Sequence, residues 1–474
     1  MATVAPSTHA RNAALPARPR LKRFLLLIAF AFAVMADPVS SVAYTIEASL
    51  RALNGHLGLL MPTQLVVLGI IALVDVNYWQ LVARYPLGGG SAEAAARAFG
   101  TGWVFLPIGA LIVDFVLTIT ISIAAAVSAL IAYVPGLAAT RVPLGLALVA
   151  LVAGLTWFGH GGRLAFAVMT ILFTASAIVV LALGFAHPLI THGSAPITGA
   201  QGPAVIAVLL SFPVAMALAT GTEAPATAIG QLGQLDADDR RRFARSTLVV
   251  TLVIVAVLTI GITALAVRLH VGIPRADSTE IADVARAAVG NGALYAIFQA
   301  TSALLLLAAA SSSFQAGPGL LKALSRHDAS AGVGILPRCL GETNRHHTPY
   351  WSVSVYAVVS AGVLLAVAGS EQELVLFYAV AVFVSFLAGL CAMARVSLRD
   401  GRRGLALVNI AAAVAVAFTL VVNLARGYPL LSLAAMALIA GGLYALWRRA
   451  GRPSGIEEVE RFAESEDDDD PGRG

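Results

Sequence analysis

A chain of 474 residues that is 58% hydrophobic and only 12% charged, with a mean hydropathy of +0.84, falls far short of the roughly 25% charged residues of a soluble globular protein. The excess of apolar residues runs along most of the chain, which is the composition of a polytopic membrane protein; the formal net charge of +5 then belongs to loops and not to nucleic-acid binding. Two cysteines, Cys339 and Cys391, exclude a disulfide framework and leave no basis for a metal centre built on thiolates.

In chain order, residues 1–20 are rich in Ala, Pro and Arg and are expected to form a disordered tail. The stretch "RPRLKR" followed by "FLLLIAFAFAVMA" mimics a secretory signal peptide cleaved after Ala36. The chain continues into many further apolar runs, so the stretch is read instead as the start of a mature membrane helix. Apolar windows of about 20 residues place about twelve spans, near 23–52, 57–80, 103–133, 143–159, 164–186, 203–231, 247–270, 294–320, 350–369, 374–397, 404–424 and 428–447. The first, third, sixth and eighth runs are longer than one crossing needs, which predicts breaks, tilt or terminal extensions. The segment 232–246, "LGQLDADDRRRFARS", mixes both signs of charge and reads as a solvated cytoplasmic helix. Residues 450–474 end in "ESEDDDDPGRG", an acidic block that repels itself and is expected to be a disordered tail. The expected organisation is a single transmembrane domain over 21–449 between two tails, with no soluble domain.

Lys and Arg placement sets the orientation. One set of loops carries Arg11, Arg18, Arg20, Lys22 and Arg23, then Arg84 and Arg97, Arg163, Arg240 to Arg242 with Arg245, and further clusters up to Arg448, Arg449 and Arg452. The alternate loops carry far fewer. By the positive-inside rule the first set faces the cytoplasm, with both termini inside and an even number of spans.

Two runs are interrupted. The first contains Asp37-Pro38, and the sixth reads "SFPVAMALATGTEAPATAIG", with Thr220-Gly221-Thr222-Glu223 and Pro225 near its middle. A proline removes a backbone donor and breaks a helix, and an aspartate near the bilayer centre costs about 2.5–3.5 kcal/mol. Breaks at corresponding positions of two five-span halves point to an inverted repeat with its binding site at the midplane. The acids deepest in the spans are Asp37, Asp114 and Glu223, whereas Asp75 is expected nearer the interface and solvated. Asp114, Thr118 and Ser122 recur every fourth residue and form one polar stripe on an otherwise apolar helix. Ser40, Ser41, Tyr44, Thr220 and Tyr378 add hydroxyl oxygens around the breaks. Carboxylate, hydroxyl and carbonyl oxygens suit a hard cation, and a carboxylate also takes a proton. Ser311, Ser312 and Ser313 are read as helix-packing residues, and His346 and His347 as loop residues without a metal.

These residues carry a resemblance. "ADPVSSVAYTIEASL" resembles the first-helix motif of the APC (amino acid–polyamine–cation) superfamily, and in particular the Pro-Asp-Ala-Leu-Ser-Ser-x-Ala-Tyr signature of the bacterial KUP-type potassium importers. "RYPLGGGSAEAAARAFG" resembles the superfamily's glycine segment after the second span, "LIVDFVLTITISIAAAVSAL" its third helix, "LATGTEAPATAIG" its sixth and "LFYAVAVFVSF" its tenth. Phe115 stands where the family has Tyr, which removes one oxygen. The resemblance implies an all-α integral membrane protein of the LeuT-type fold, with five plus five inverted helices followed by two more. It also implies a secondary active transporter that takes up potassium with protons across the cytoplasmic membrane by alternating access, not an enzyme, and without a cofactor. Asp37, Tyr44, Asp114, Thr118, Ser122, Thr220, Glu223 and Tyr378 would line the ion path. Asp37, Asp114, Thr118 and Thr220 would hold potassium, and Asp37, Asp114 and Glu223 would exchange protons. The alternative is a proton-coupled amino-acid or polyamine permease of the same superfamily. Partners are then the small cation or amine, protons and the lipid bilayer, with a homodimer allowed and no nucleic acid. The chain ends soon after its last span, so regulation by a cyclic dinucleotide is not implied.

Overall fold

The computed structural model describes residues 20–85, 90–159, 163–186, 203–231, 235–326, 334–426, 430–456 and 459. Most of both expected tails, and residues 86–89 of the glycine segment, lie outside the described residues.

The first run contains three helices in series, α1 (Arg20–Val34), α2 (Ala36–Ser40) and α3 (Val42–Ala52). The second is α4 (Leu57–Arg84), followed by the short α5 (Gly90–Phe99). The third to fifth runs are α6 (Phe105–Tyr133), α7 (Arg141–Trp157) and α8 (Arg163–Ala186). The sixth starts as α9 (Ala204–Ala215), tightens into a 3₁₀ turn at Met216–Ala219, and resumes as α10 (Ala224–Thr227). Then come α11 (Ala237–Leu269), the short connecting helix α12 (Glu280–Val289), α13 (Ala293–Ser325), α14 (Tyr350–Ala366), α15 (Glu371–Arg399), α16 (Arg403–Ala425) and α17 (Leu430–Arg449). Among the described residues, ten helical segments are long and apolar enough to cross a membrane. The first and ninth expected runs appear only as the shorter apolar helices Leu25–Val34 and Tyr350–Ala366, the first because its helix is interrupted at Met35. Two broken spans therefore each open a set of five, and two spans follow, which is the element order expected of the LeuT-type fold.

The long third and eighth runs are extended, not broken. α6 has 29 residues and α13 has 33, so at about 1.5 Å per residue each exceeds a hydrocarbon core of about 30 Å. The arginine-rich segment is also not a separate helix. Asp236 caps α11 by accepting the Asp239 N–H at 2.7 Å, and from Ala237 the charged turns run without interruption into the seventh span.

α6 is buried along almost its whole length and packs against α13, α15 and α17. Outside its polar stripe it is apolar on every side, as a helix at the centre of a membrane bundle must be. α7, α14, α16 and α17 turn large apolar side chains outward, among them Leu151, Val358, Leu407 and Leu438. That outer belt suits a lipid solvent, because water would penalise it.

Candidate functional site

Both breaks follow from local chemistry. Pro38 has no N–H to give the Val34 carbonyl, so the ladder lapses after Met35 accepts from Val39 and donates to Ala31. The Ser40 and Ser41 hydroxyls then donate to the carbonyls of Asp37 and Pro38, both at 2.7 Å. In the sixth span, Thr220 (φ −52°, ψ 132°) is followed by Gly221 (φ 72°), and the Thr222 N–H donates to the Ala219 carbonyl at 3.3 Å. That is a type II turn, whose third position requires a positive φ and so favours glycine.

The two breaks lie against each other with opposite chain direction. Ser211 donates to the Ala52 carbonyl at 3.2 Å, and Ser41 reaches the Leu218 carbonyl at 3.2 Å. Asp37 sits on Gly221, where a Cβ would stand only 2.8 Å from the Asp37 Oδ2. As one residue number falls the other rises, so the broken spans are antiparallel. Gly221 therefore serves twice, by turning the chain and by leaving space for the carboxyl.

Asp37 lies in the electrostatic field of Asp114, a buried residue of α6. The Tyr44 hydroxyl turns toward Thr220 and lies in the field of both acids, although it makes no well-formed hydrogen bond. Asp37 Oδ1 and the buried Ser122 hydroxyl have no hydrogen-bond partner among the described residues. Thr118 and Ser122 continue the α6 stripe one and two turns from Asp114, both buried. The Thr220 hydroxyl donates to the Ala217 carbonyl at 2.5 Å and keeps its lone pairs. The expected residues Asp37, Tyr44, Asp114 and Thr220 are thus brought together, with Thr118 and Ser122 in line beside them. Glu223 is half-buried at the start of α10 and is not among the groups acting on Asp37. Tyr378 falls within α15, with its side chain outside the described residues.

One expectation needs correction. Asp75 is half-buried and lies deeper than an interfacial acid. Thirteen and a half ångströms or so of helix separate it from the end of α4, and it lines a small cavity with Pro38, Thr222 and Thr251 beside the breaks. At the first break the Asp37 and Pro38 carbonyls each accept from a serine hydroxyl, Ser40 and Ser41, and keep a second lone pair.

One residue was missed. Tyr356 of α14 is wholly buried in the field of Asp114, and it packs so closely on Gly317 of α13 that a Cβ there would come within 2.5 Å of the ring. The signal was present in sequence: Ser352, Tyr356 and Ser360 recur every fourth residue on an otherwise apolar helix, the same pattern that marks Asp114.

The sequence profile of the amino acid permease family matches residues 24–439. The chain belongs to the amino acid permease family. This permease is similar to the potassium transporter KimA of Bacillus subtilis, with 28% identity over 367 residues, 74% of this chain and 58% of the relative. The match thus spans less than two thirds of that relative's length. Among solved structures, two variants of the Eremococcus coleocola manganese transporter align with 13% and 14% identity over 95% of this chain and 98% of theirs, with TM-scores of 0.48. The permease is a multi-pass transporter of the APC superfamily and not an enzyme.

Proposed function

We propose that this permease imports potassium with protons across the cytoplasmic membrane by alternating access, with both termini in the cytoplasm. The observation that carries the reading is that Asp37, seated on Gly221 where the two helices break and with its Oδ1 buried without a hydrogen-bond partner among the described residues, lies in the field of Asp114. Two carboxyl groups that feel each other in a low-dielectric interior need a compensating cation or proton. Asp37, Asp114, Thr118 and Thr220 hold the potassium ion, with Tyr44, Ser122 and Tyr378 along its path, and Asp37, Asp114 and Glu223 exchange the proton. The likeness to a potassium transporter supports the same substrate.

Moving one charge inward gains about 2.3 kcal/mol per 100 mV, so one potassium ion with one proton gains about 4.6 kcal/mol. At about 1.4 kcal/mol per decade that is roughly a thousandfold concentration. A cationic amine is the second reading, favoured by the same pair of acids. Purified protein in liposomes distinguishes them. Rubidium uptake driven by an inward proton gradient and abolished by Asp37→Asn is the expected result. Uptake of a labelled amino acid or polyamine without rubidium uptake would overturn the potassium reading.

A further inference from the structure

The small cavity beside the breaks lies between α4 and α11. Its polar lining is Asp75 of α4, Thr222 of the sixth span and Thr251 of α11, and Pro38 and Leu218 close it toward the broken spans. Asp37 and Gly221, which are seated against each other, are each followed directly by a residue of this wall, Pro38 and Thr222. Neither break can shift without reshaping the cavity.

The lining has unmet hydrogen-bonding capacity. Thr63, Thr120, Thr156 and Thr170, buried in other spans, each donate to the carbonyl four residues before, at 2.8 or 2.9 Å. Thr251 makes no such bond: the residue is 4% exposed, and its hydroxyl has no partner among the described residues. Thr247, one turn nearer the charged start of α11, is wholly buried and unpartnered in the same way. A buried hydroxyl in this state costs free energy unless a water or a ligand meets it. The Thr222 hydroxyl donates to the Ala219 carbonyl at 2.9 Å and keeps its lone pairs. Asp75 is not held by a neighbouring charge. Neither Glu223 at the start of α10 nor Arg245 of α11, whose guanidinium lies over the Trp79 ring one turn further along α4, acts on its carboxyl. The charged groups of α3, α5, α9, α15 and α16, which also pack on α4, do not act on it either. A water in such a place needs roughly two to four polar partners, and the Asp75 carboxyl with the Thr222 and Thr251 hydroxyls supplies them.

We propose that Asp75 is the inner proton site of this transporter, taking the proton from the central carboxyl groups through a water held by Thr222 and Thr251 and releasing it past Thr247 to the cytoplasm. The proposal rests on the proton-coupled reading and the orientation given above, in which the Arg84 end of α4 and the charged start of α11 face the cytoplasm. One O–H bond breaks at a central carboxyl as one forms at Asp75, and the negative charge passes the other way. Loss of that proton to cytoplasmic water restores the Asp75 carboxylate. A hydroxyl both donates and accepts, so Thr251 and Thr247 can pass a proton where an aliphatic side chain would block it. An acid inside a span is costly, and proton relays are among the functions that retain one.

Two rubidium fluxes in liposomes separate this site from the ion seat: net uptake driven by an inward proton gradient, and exchange of labelled for unlabelled rubidium at equal pH. The amide of Asp75→Asn stands in for the protonated carboxyl, so the loaded carrier still turns over in exchange but cannot discharge its proton. The expected result is net uptake lost with exchange retained. Thr251→Val should slow net uptake several-fold, also with exchange retained, whereas Asp37→Asn should lose both fluxes. Wild-type net uptake in Asp75→Asn would overturn the proposal, and so would wild-type net uptake in Thr251→Val. Loss of exchange together with net uptake in an Asp75→Asn protein that still unfolds cooperatively on heating would also overturn it, because Asp75 would then belong to the ion seat. Net uptake in the wild type that ignores the proton gradient would overturn the coupled reading itself, and this site with it.

Discussion

A methyl group at position 221 tests the seat of Asp37 without touching its charge. In Gly221→Ala the added Cβ would lie 2.8 Å from Asp37 Oδ2 and 2.8 Å from Pro38 Cδ, where ordinary contact begins at 3.4 Å, so the neighbours must yield by roughly 0.6 Å. The backbone there has φ 72°, which costs a residue with a Cβ about 1–2 kcal/mol. Overpacking a tight contact costs about 1–3 kcal/mol more. If half of that total is met by displacing the Asp37 carboxyl, the ion loses about 1–2.5 kcal/mol of binding, or about 5- to 60-fold in half-saturation. Gly69→Ala is the matched control, since nothing lies within 4 Å of a Cβ there and the exchange favours the α4 helix by up to about 1 kcal/mol. The assay is rubidium uptake into liposomes as a function of concentration, with Tm measured on the same preparations. Wild-type half-saturation in Gly221→Ala would refute the argument, because the carboxyl could then move without consequence for the ion.

Other outcomes follow from the same geometry. Tyr356→Phe removes only a buried hydroxyl that lies in the field of Asp114 and has no hydrogen-bond partner among the described residues, and it should raise the rubidium half-saturation by about 5- to 12-fold, as for the loss of one ion contact worth about 1–1.5 kcal/mol; unchanged uptake would remove Tyr356 from the site. Asp75→Leu deletes an acid that has no ion pair among the described residues and should raise Tm by whatever part of the roughly 2.5–3.5 kcal/mol insertion cost its threonine neighbours do not offset; a lower Tm would mean that the carboxyl has a compensating partner. Burial, then the nearby Glu47 and Asp283 carboxyls, push Glu280 well above its ordinary 4.5 despite Arg51. The folded state then holds this proton more tightly than the unfolded state, so its contribution to stability is fully present below pH 4.5 and is lost as pH rises through the folded value. Glu280→Gln should flatten that decline in Tm measured from pH 4.5 upward, and an identical slope in both proteins would place the titration elsewhere.

The breaks were legible because proline and glycine act on their own backbone: Asp37-Pro38 and Thr220-Gly221 interrupt their helices in any surroundings that keep the chain apolar. Asp114, Thr118 and Ser122 were legible because a stripe on one helix needs no partner to be seen. Ser352, Tyr356 and Ser360 carried the same stripe and were passed over for want of a charge. Asp75 was misjudged because its depth depends on where α4 ends, and the helix continues to Arg84. The acids near the outer ends of the spans were hidden for another reason. Glu47, Glu280 and Glu371 are 233 and 91 residues apart in steps along the chain and come from three elements, two of them near connections where acids are ordinarily solvated. Only the folding of α12 over α3 buries them together.

The antiparallel contact of the two breaks limits how this molecule can move. Ser41 is tied to Leu218, and Asp37 lies on Gly221, so the interrupted helices share one knuckle at a single level. Four half-helices radiate from it like the leaves of two hinges on a common pin. A tilt of either leaf of the first span presses on the turn of the sixth. Swinging one leaf therefore drags its counterpart, and Asp37 is carried with the pin instead of being pulled away from Gly221.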